Sequence, residues 1–102
     1  MMGLGFYKVT GDSMLPSYCS GDYVLTFRFN TSRLSVGDVL VVRHSRYGNI
    51  IKRIKRIERV EDDGSTFAIA GDNTQSSTDS DTLGLVSIKQ VLGKVIWHIA
   101  GP

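Results

Sequence analysis

The sequence predicts a single all-β domain of mostly antiparallel strands, folded into a compact sheet or barrel. Three observations carry that prediction. Runs rich in β-branched and aromatic residues recur along the chain. Gly-Asp pairs stand at residues 11–12, 21–22, 37–38 and 71–72. Glycine tolerates positive φ and aspartate can bond a nearby backbone N–H, so the pair suits a turn. The 102 residues suffice for one small core and are too few for two, so residues 1–102 are read as one domain.

The elements follow in order. Phe6 to Thr10 reads as a first strand. Asp22 leads into Tyr23 to Phe29, and Asp38 leads into Val39 to Arg43. The stretch NIIKRIKRIERV, residues 49–60, is harder. Ile51, Ile54, Ile57 and Val60 recur every three places, as on a helix stripe. The isoleucines favour a strand, no N-cap precedes them, and the neighbouring segments are strands, so a strand is expected here too. Alternation then turns Lys52 and Lys55 to opposite faces, and only one of them can share a site. Thr66 to Ala70 and Val91 to Ile99 complete the strands. Asn30 to Ser35, Asp62 to Ser65 and Asn73 to Thr82 read as loops.

Composition narrows the function classes. A formal charge of +2 is too mild to imply a polyanionic partner by itself. Lys52, Arg53, Lys55, Arg56 and Arg59 form a basic run, and Phe27, Phe29 and Tyr47 could stack on bases, as in a nucleic-acid-binding β-barrel. Glu58, Glu61, Asp62 and Asp63 break that run, and no nucleic-acid partner is expected. The single cysteine, Cys19, cannot form an internal disulfide and reads as a small, partly buried apolar residue. No segment approaches the roughly 18 to 20 apolar residues that span a bilayer. Residues 1–6 lack the basic start and long apolar core of a signal peptide. The chain thus reads as soluble as given, with a short apolar edge at Leu4, Phe6 and Leu15 that could meet a membrane surface. No compartment follows from this. No metal-ligand spacing occurs, and neither a metal nor a cofactor is expected.

The candidate chemistry lies in GDSMLPSYCSGD, residues 11–22. A serine hydroxyl is a weak nucleophile until a base takes its proton. The two histidines, His44 and His98, sit in no recognisable motif. Lysine is the next candidate base, and it can act only when neutral. Its pKa of about 10.4 must fall by several units, which burial among apolar side chains can achieve. Lys52, beside Ile50, Ile51 and Ile54, is the lysine embedded among large aliphatic residues. Lys8, Lys55, Lys89 and Lys94 have less apolar settings. The plain readings are a turn serine and a solvated strand lysine.

Here the residues resemble a family. Ser13-Met14-Leu15-Pro16, followed by Gly21-Asp22-Tyr23-Val24, is similar to the Ser-Met-x-Pro box of type I signal peptidases. Gly37-Asp38-Val39 and then Ile50-Ile51-Lys52-Arg53-Ile54 resemble the box that carries their catalytic lysine. Gly71-Asp72-Asn73 with Ser77, Asp79 and Ser80 resembles the third box, and Gly84, Val86, Val91 and Gly93 fit the tail after it. The likeness runs from about residue 8 to residue 97. The related self-cleaving repressors share a Ser-Lys dyad but usually lack the third box, so the likeness favours the signal-peptidase side. Residues 41–53, VVRHSRYGNIIKR, are similar to short relatives that remove propeptides.

The resemblance implies a mostly β fold of the signal peptidase catalytic-domain type. It implies an endopeptidase that cleaves signal peptides or propeptides after small residues through an acyl-enzyme. Ser13 would be the nucleophile and Lys52 the base. The backbone N–H of Ser13 would serve the oxyanion hole. Gly11 stands at the second oxyanion position, where some members carry a serine and others a glycine. Ser77 would orient the lysine and Asp79 would brace the loop. Asp81 stands where the third box often has an arginine, which leaves the Asp79 role without its usual partner. The partner would be an extended polypeptide, and an anchor in a longer chain would place the domain at a membrane. An inactive relative that only binds peptides is the alternative.

Overall fold

Among the described residues, strand-forming runs and glycine turns build one antiparallel sheet of seven strands. The computed structural model describes residues 3–28, 34–60, 64–73 and 85–101. The strands are β1 (Leu4–Lys8), β2 (Tyr23–Phe27), β3 (Val39–His44), β4 (Gly48–Val60), β5 (Gly64–Ala70), β6 (Leu85–Ser87) and β7 (Val91–Ile99), with a 3-10 turn at Ile88–Gln90 before β7. Their order across the sheet is β1-β2-β7-β3-β4-β5-β6. The all-β expectation therefore holds, and residues 49–60 are a strand rather than a helix. The short β6 and the 3-10 turn have no counterpart in the sequence reading. Expected bounds shift by a few residues: the first strand starts and ends two residues earlier, and Gly64 and Ser65 belong to β5 rather than to a loop.

Two of the Gly-Asp turns are built alike. Gly21 and Gly37 have φ of 97° and 99°, conformations that L side chains rarely adopt. In each turn the aspartate carboxylate accepts the backbone N–H three residues before it. Cys19 donates to Asp22 at 2.9 Å and Ser35 to Asp38 at 2.8 Å. Each aspartate N–H donates back to the same residue's carbonyl, at 3.0 Å in both. These clasps set the entry of β2 and β3. Gly71 is not among the positive-φ glycines, and its aspartate serves another purpose described below.

The sheet buries two apolar clusters. Leu40 and Val42 of β3 join Leu34, Ile54, Phe67, Ile69, Val86 and Val91 in one. Val39 and Val41 join Val9, Met14, Val24 and Ile51 in the other. Alternation along β3 thus feeds both clusters, so the strand is buried on both faces. Register shifts at Leu25/Thr26, Val41/Val42 and Ile54/Arg56 mark bulges, which bend a sheet and let it curl around two cores.

The outer face of β1, β2 and β7 is different. Register aligns Phe6 with Leu25 and Leu25 with Trp97, and likewise Lys8 with Tyr23 and Tyr23 with Ile99. Leu4, Phe6, Trp97 and Ile99 are exposed there, and Phe6 stacks on Tyr23 with ring centroids 5.2 Å apart. Among the described residues, no helix is long and apolar enough to cross a membrane.

Candidate active site

The turn after β1 positions Ser13. Met14 is buried in the second cluster and anchors the turn, leaving its neighbour Ser13 half-buried at the surface of that core. Within the turn, the Leu15 N–H donates to the Asp12 carbonyl at 3.2 Å and the Tyr18 N–H to the Met14 carbonyl at 2.9 Å. The third sequence box ties on directly. The Asn73 N–H donates to the Ser13 carbonyl at 2.9 Å, and the Asn73 side-chain amide donates to the Asp12 carbonyl at 3.0 Å. Two stretches 60 residues apart in sequence are thereby held against each other.

Lys52 comes from β4, paired in register with Leu40 of β3. It is 5% exposed. Burial pushes its pKa down from the ordinary lysine value, because the ammonium form loses hydration. Lys52 and Ser13 line the same open cleft, of about 240 Å³. Tyr7, Lys8, Val9 and Thr10 form one wall of the cleft, and Tyr47 and residues 49–52 form another, with Val24 and Val41 also lining it. Lys55 is exposed and does not line it.

Arg53, next along β4, locks the arrangement. Its Nε and Nη2 donate to the two carboxylate oxygens of Asp72 at 2.8 and 2.7 Å, a two-pronged contact that fixes orientation as well as distance. Its Nη1 donates to the Gly37 carbonyl at 2.7 Å. Ser17 Oγ donates to Asp72 Oδ2 at 2.7 Å. The Arg53 guanidinium, through its hydrogen bonds, holds the Asp72 carboxyl below the usual carboxylate range. Asp72 therefore fastens the lysine strand to the serine turn. Sequence reasoning placed Asp72 and Arg53 in motifs but gave them no role. The available signal was alternation: an arginine beside a candidate lysine turns the other way and needs a carboxylate there.

The remaining expectations resolve individually. Gly11 has φ of 80° and open space around it, so a side chain there would be strained by the backbone and not by crowding. Ser77 and Asp79, and with them Ser80 and Asp81, lie outside the described residues. Cys19 is exposed, contrary to the buried role expected of it. Its backbone faces the Asp22 clasp and its side chain is left at the turn surface. The basic run is divided: Lys52 is buried, Arg53 pairs with Asp72, and Arg56 pairs with Glu58 at 2.8 Å. Among the described residues no group of three His, Cys, Asp or Glu side chains could hold a metal.

Neither histidine lines the cleft. His44 Nδ1 accepts the N–H groups of Arg46 and Tyr47, at 3.0 and 3.3 Å, and so closes the β3–β4 turn. His98 Nε2 lies 2.6 Å from Asp22 Oδ2. Asp22 also accepts the Gly101 N–H at 2.8 Å, which ties the residues after β7 to the start of β2. Hydrogen bonds from the Cys19 and Gly101 N–H groups, then from His98, bring the Asp22 pKa down to about 2. The Tyr18 ring packs on His98 with centroids 4.5 Å apart, linking this cluster to the serine turn.

A turn serine and a buried lysine on one cleft, braced by an arginine–aspartate fork, form an arrangement suited to nucleophilic attack without histidine. No curated protein matches the chain. A family model described as Peptidase S24-like matches residues 3–96, which takes in the serine turn, the first six strands and the Gly-Asp-Asn stretch. With nearly the whole chain matched, the protein belongs to the Peptidase S24-like family, a family of serine peptidases.

Proposed function

We propose that this protein is a serine endopeptidase of the signal peptidase I type, cleaving signal peptides or propeptides after small residues with Ser13 and Lys52. One observation carries the reading: the buried Lys52 and the turn serine Ser13 line one cleft. Neutral Lys52 takes the Ser13 proton as Oγ attacks a peptide carbonyl, and returns it to the leaving amine. The Ser13 N–H, with the backbone at Gly11, steadies the oxyanion. Lys52 then activates the water that releases the acyl group. Ser77 orients the amine and Asp79 braces its loop. A peptide-binding relative without activity would share the cleft but not the chemistry.

Backbone geometry supports an extended substrate. Ile54 spends its N–H and C=O on Asp38 and Gly37, the side of β4 that faces β3. Alternation turns the groups of Asn49 and Ile51 to the other side, where β5 pairs only from Arg53 onward. That edge, without a paired strand among the described residues, lines the cleft, and a peptide strand can add to it. The apolar face of Leu4, Phe6, Trp97 and Ile99 would lie against a lipid surface, placing the cleft near membrane-bound substrates.

Two measurements test this. Mass spectrometry of a peptide library should find cleavage after small residues, absent in Ser13→Ala. An uncut library, or cutting that survives in Ser13→Ala, rejects the assignment. Trp97 is the only tryptophan. Its emission should shift to the blue on phospholipid vesicles, and an unchanged spectrum rejects the membrane contact.

A further inference from the structure

We infer that Lys8 selects substrates by charge, so that the position of an extended polypeptide lying beside Lys8 takes an acidic side chain. The inference rests on the peptide-binding cleft proposed above and adds a reader to it. Val9 donates its N–H to the Asp22 carbonyl at 2.7 Å, and its carbonyl accepts the Gly21 N–H at 2.8 Å. Both groups of Val9 thus face β2. Along an antiparallel strand, successive residues turn their backbone groups to opposite sides. Lys8 and Thr10 therefore present theirs to the open side of β1, which is an edge of the sheet. That side lines the Ser13 cleft.

Side chains alternate on the same strand. Tyr7 and Val9 go into the second apolar cluster, while Phe6 and Lys8 are exposed on the opposite face. A peptide residue paired beside Lys8 projects to the Lys8 face, and one two places away projects beside Phe6. Charge is one-sided there. The cleft is lined by Lys8 and Lys52 and by no carboxylate among the described residues. Strands β1, β2 and β7 contain no Asp or Glu. Lys94 on β7 has Asp38 at 3.4 Å, whereas Lys8 has no ion pair among the described residues. An incoming carboxylate would be its counter-ion.

Cross-strand pairs of opposite charge give small but readable effects, here roughly a two- to five-fold preference for Glu over Gln. The probes are fluorescein-labelled peptides of alanine, serine, valine and threonine, with one position varied in turn among Glu, Gln and Lys. Anisotropy would be read on the parent and on Ser13→Ala, which removes turnover. At one position Glu should bind tightest and Lys weakest. Lys8→Glu should reverse that order, Lys8→Gln should level it, and added salt should shrink it. Equal binding at every position, absence of binding, or an acidic preference that survives Lys8→Glu overturns the inference. Incubating the same peptides with the parent separates the two readings. Charge-selective binding without cleavage removes the Ser13–Lys52 chemistry and keeps the Lys8 reader. Cleavage without charge preference does the opposite.

Discussion

Lys52 and Asp22 are both nearly sealed from solvent, at 5% and 6% exposure, and the fold treats them in opposite ways. Around Asp22 the protein supplies donors: two backbone N–H groups and His98 converge on one carboxylate, and the charge is favoured. Around Lys52 the shift comes from burial, and the charge is disfavoured. Burial with matched hydrogen bonds yields a structural clasp. Burial of a lysine disfavours its ammonium form and makes the neutral amine easier to reach. The contrast separates a group that holds the chain from the one proposed above as the base.

The largest expected effect tests the chemical side of that contrast. Ser13→Ala and Lys52→Ala should each lower hydrolysis by at least about a thousand-fold, as happens when a member of a catalytic unit is removed. Lys55→Ala should leave most of the activity, since Lys55 is exposed and away from the cleft. Steady-state rates on a cleaved peptide would decide. Full activity in Lys52→Ala would sink the dyad.

The next effect concerns pH. The rate should rise as Lys52 loses its proton, with an apparent pKa below that of a free lysine. In the window between the lowered and the ordinary value, the unfolded chain binds more protons than the folded one. Stability should then rise with pH through that window and fall as pH drops through it. Lys52→Met keeps the apolar stem and removes the titration. It should be inactive, at least as stable as the parent near neutral pH, and flatter in its stability profile. Parallel denaturation curves for the two proteins, with a pH-independent parent rate, would show Lys52 to be an ordinary solvated lysine.

Asp22 should behave in the reverse sense. Its folded pKa is depressed to about 2, so its stabilisation is present above the ordinary carboxylate value and is lost as pH falls toward about 2. Asp22→Asn should lower the urea midpoint at neutral pH, and the gap from the parent should close in strong acid. A gap that does not change with pH would mean that the carboxylate charge contributes nothing.

Arg53→Lys should give the smallest change. It keeps the positive charge but loses the two-pronged contact to Asp72. The pair is partly exposed, so solvent screening limits the cost to about 1 kcal/mol. Activity should fall more than stability does, because Asp72 also holds Ser17 and its neighbour Asn73 holds Ser13. Equal small losses in both would make the fork a purely structural tie.

Much of this molecule was legible locally. β-Branched and aromatic runs gave six of the seven described strands, β4 among them despite its three-residue isoleucine spacing, since side-chain preference and alternation act within a few residues. The turns at Gly21 and Gly37 were readable because positive φ and a carboxylate bond three residues away are likewise local. Ser13 and Lys52 were nameable from their chemistry and their motifs. The three-residue β6 was not, because so short a run carries no pattern of its own and is held by pairing with β5.

Only the tertiary structure decided which distant groups meet. Strand order brings β7 between β2 and β3, and with it His98 to Asp22, 76 residues away. Asp72 finds Arg53 and Ser17, and Asn73 finds Ser13, across separations that no local rule encodes. Cys19 is exposed although free cysteine is commonly buried, because the Asp22 clasp uses its backbone and fixes the turn around it. Residue preferences and turn geometry are properties of neighbouring residues, and so the sequence determined the strands, the turns and the candidate nucleophile and base. A lowered lysine pKa and a cleft that holds both groups depend on what surrounds Lys52 in space, which pairing and burial of the whole chain decide.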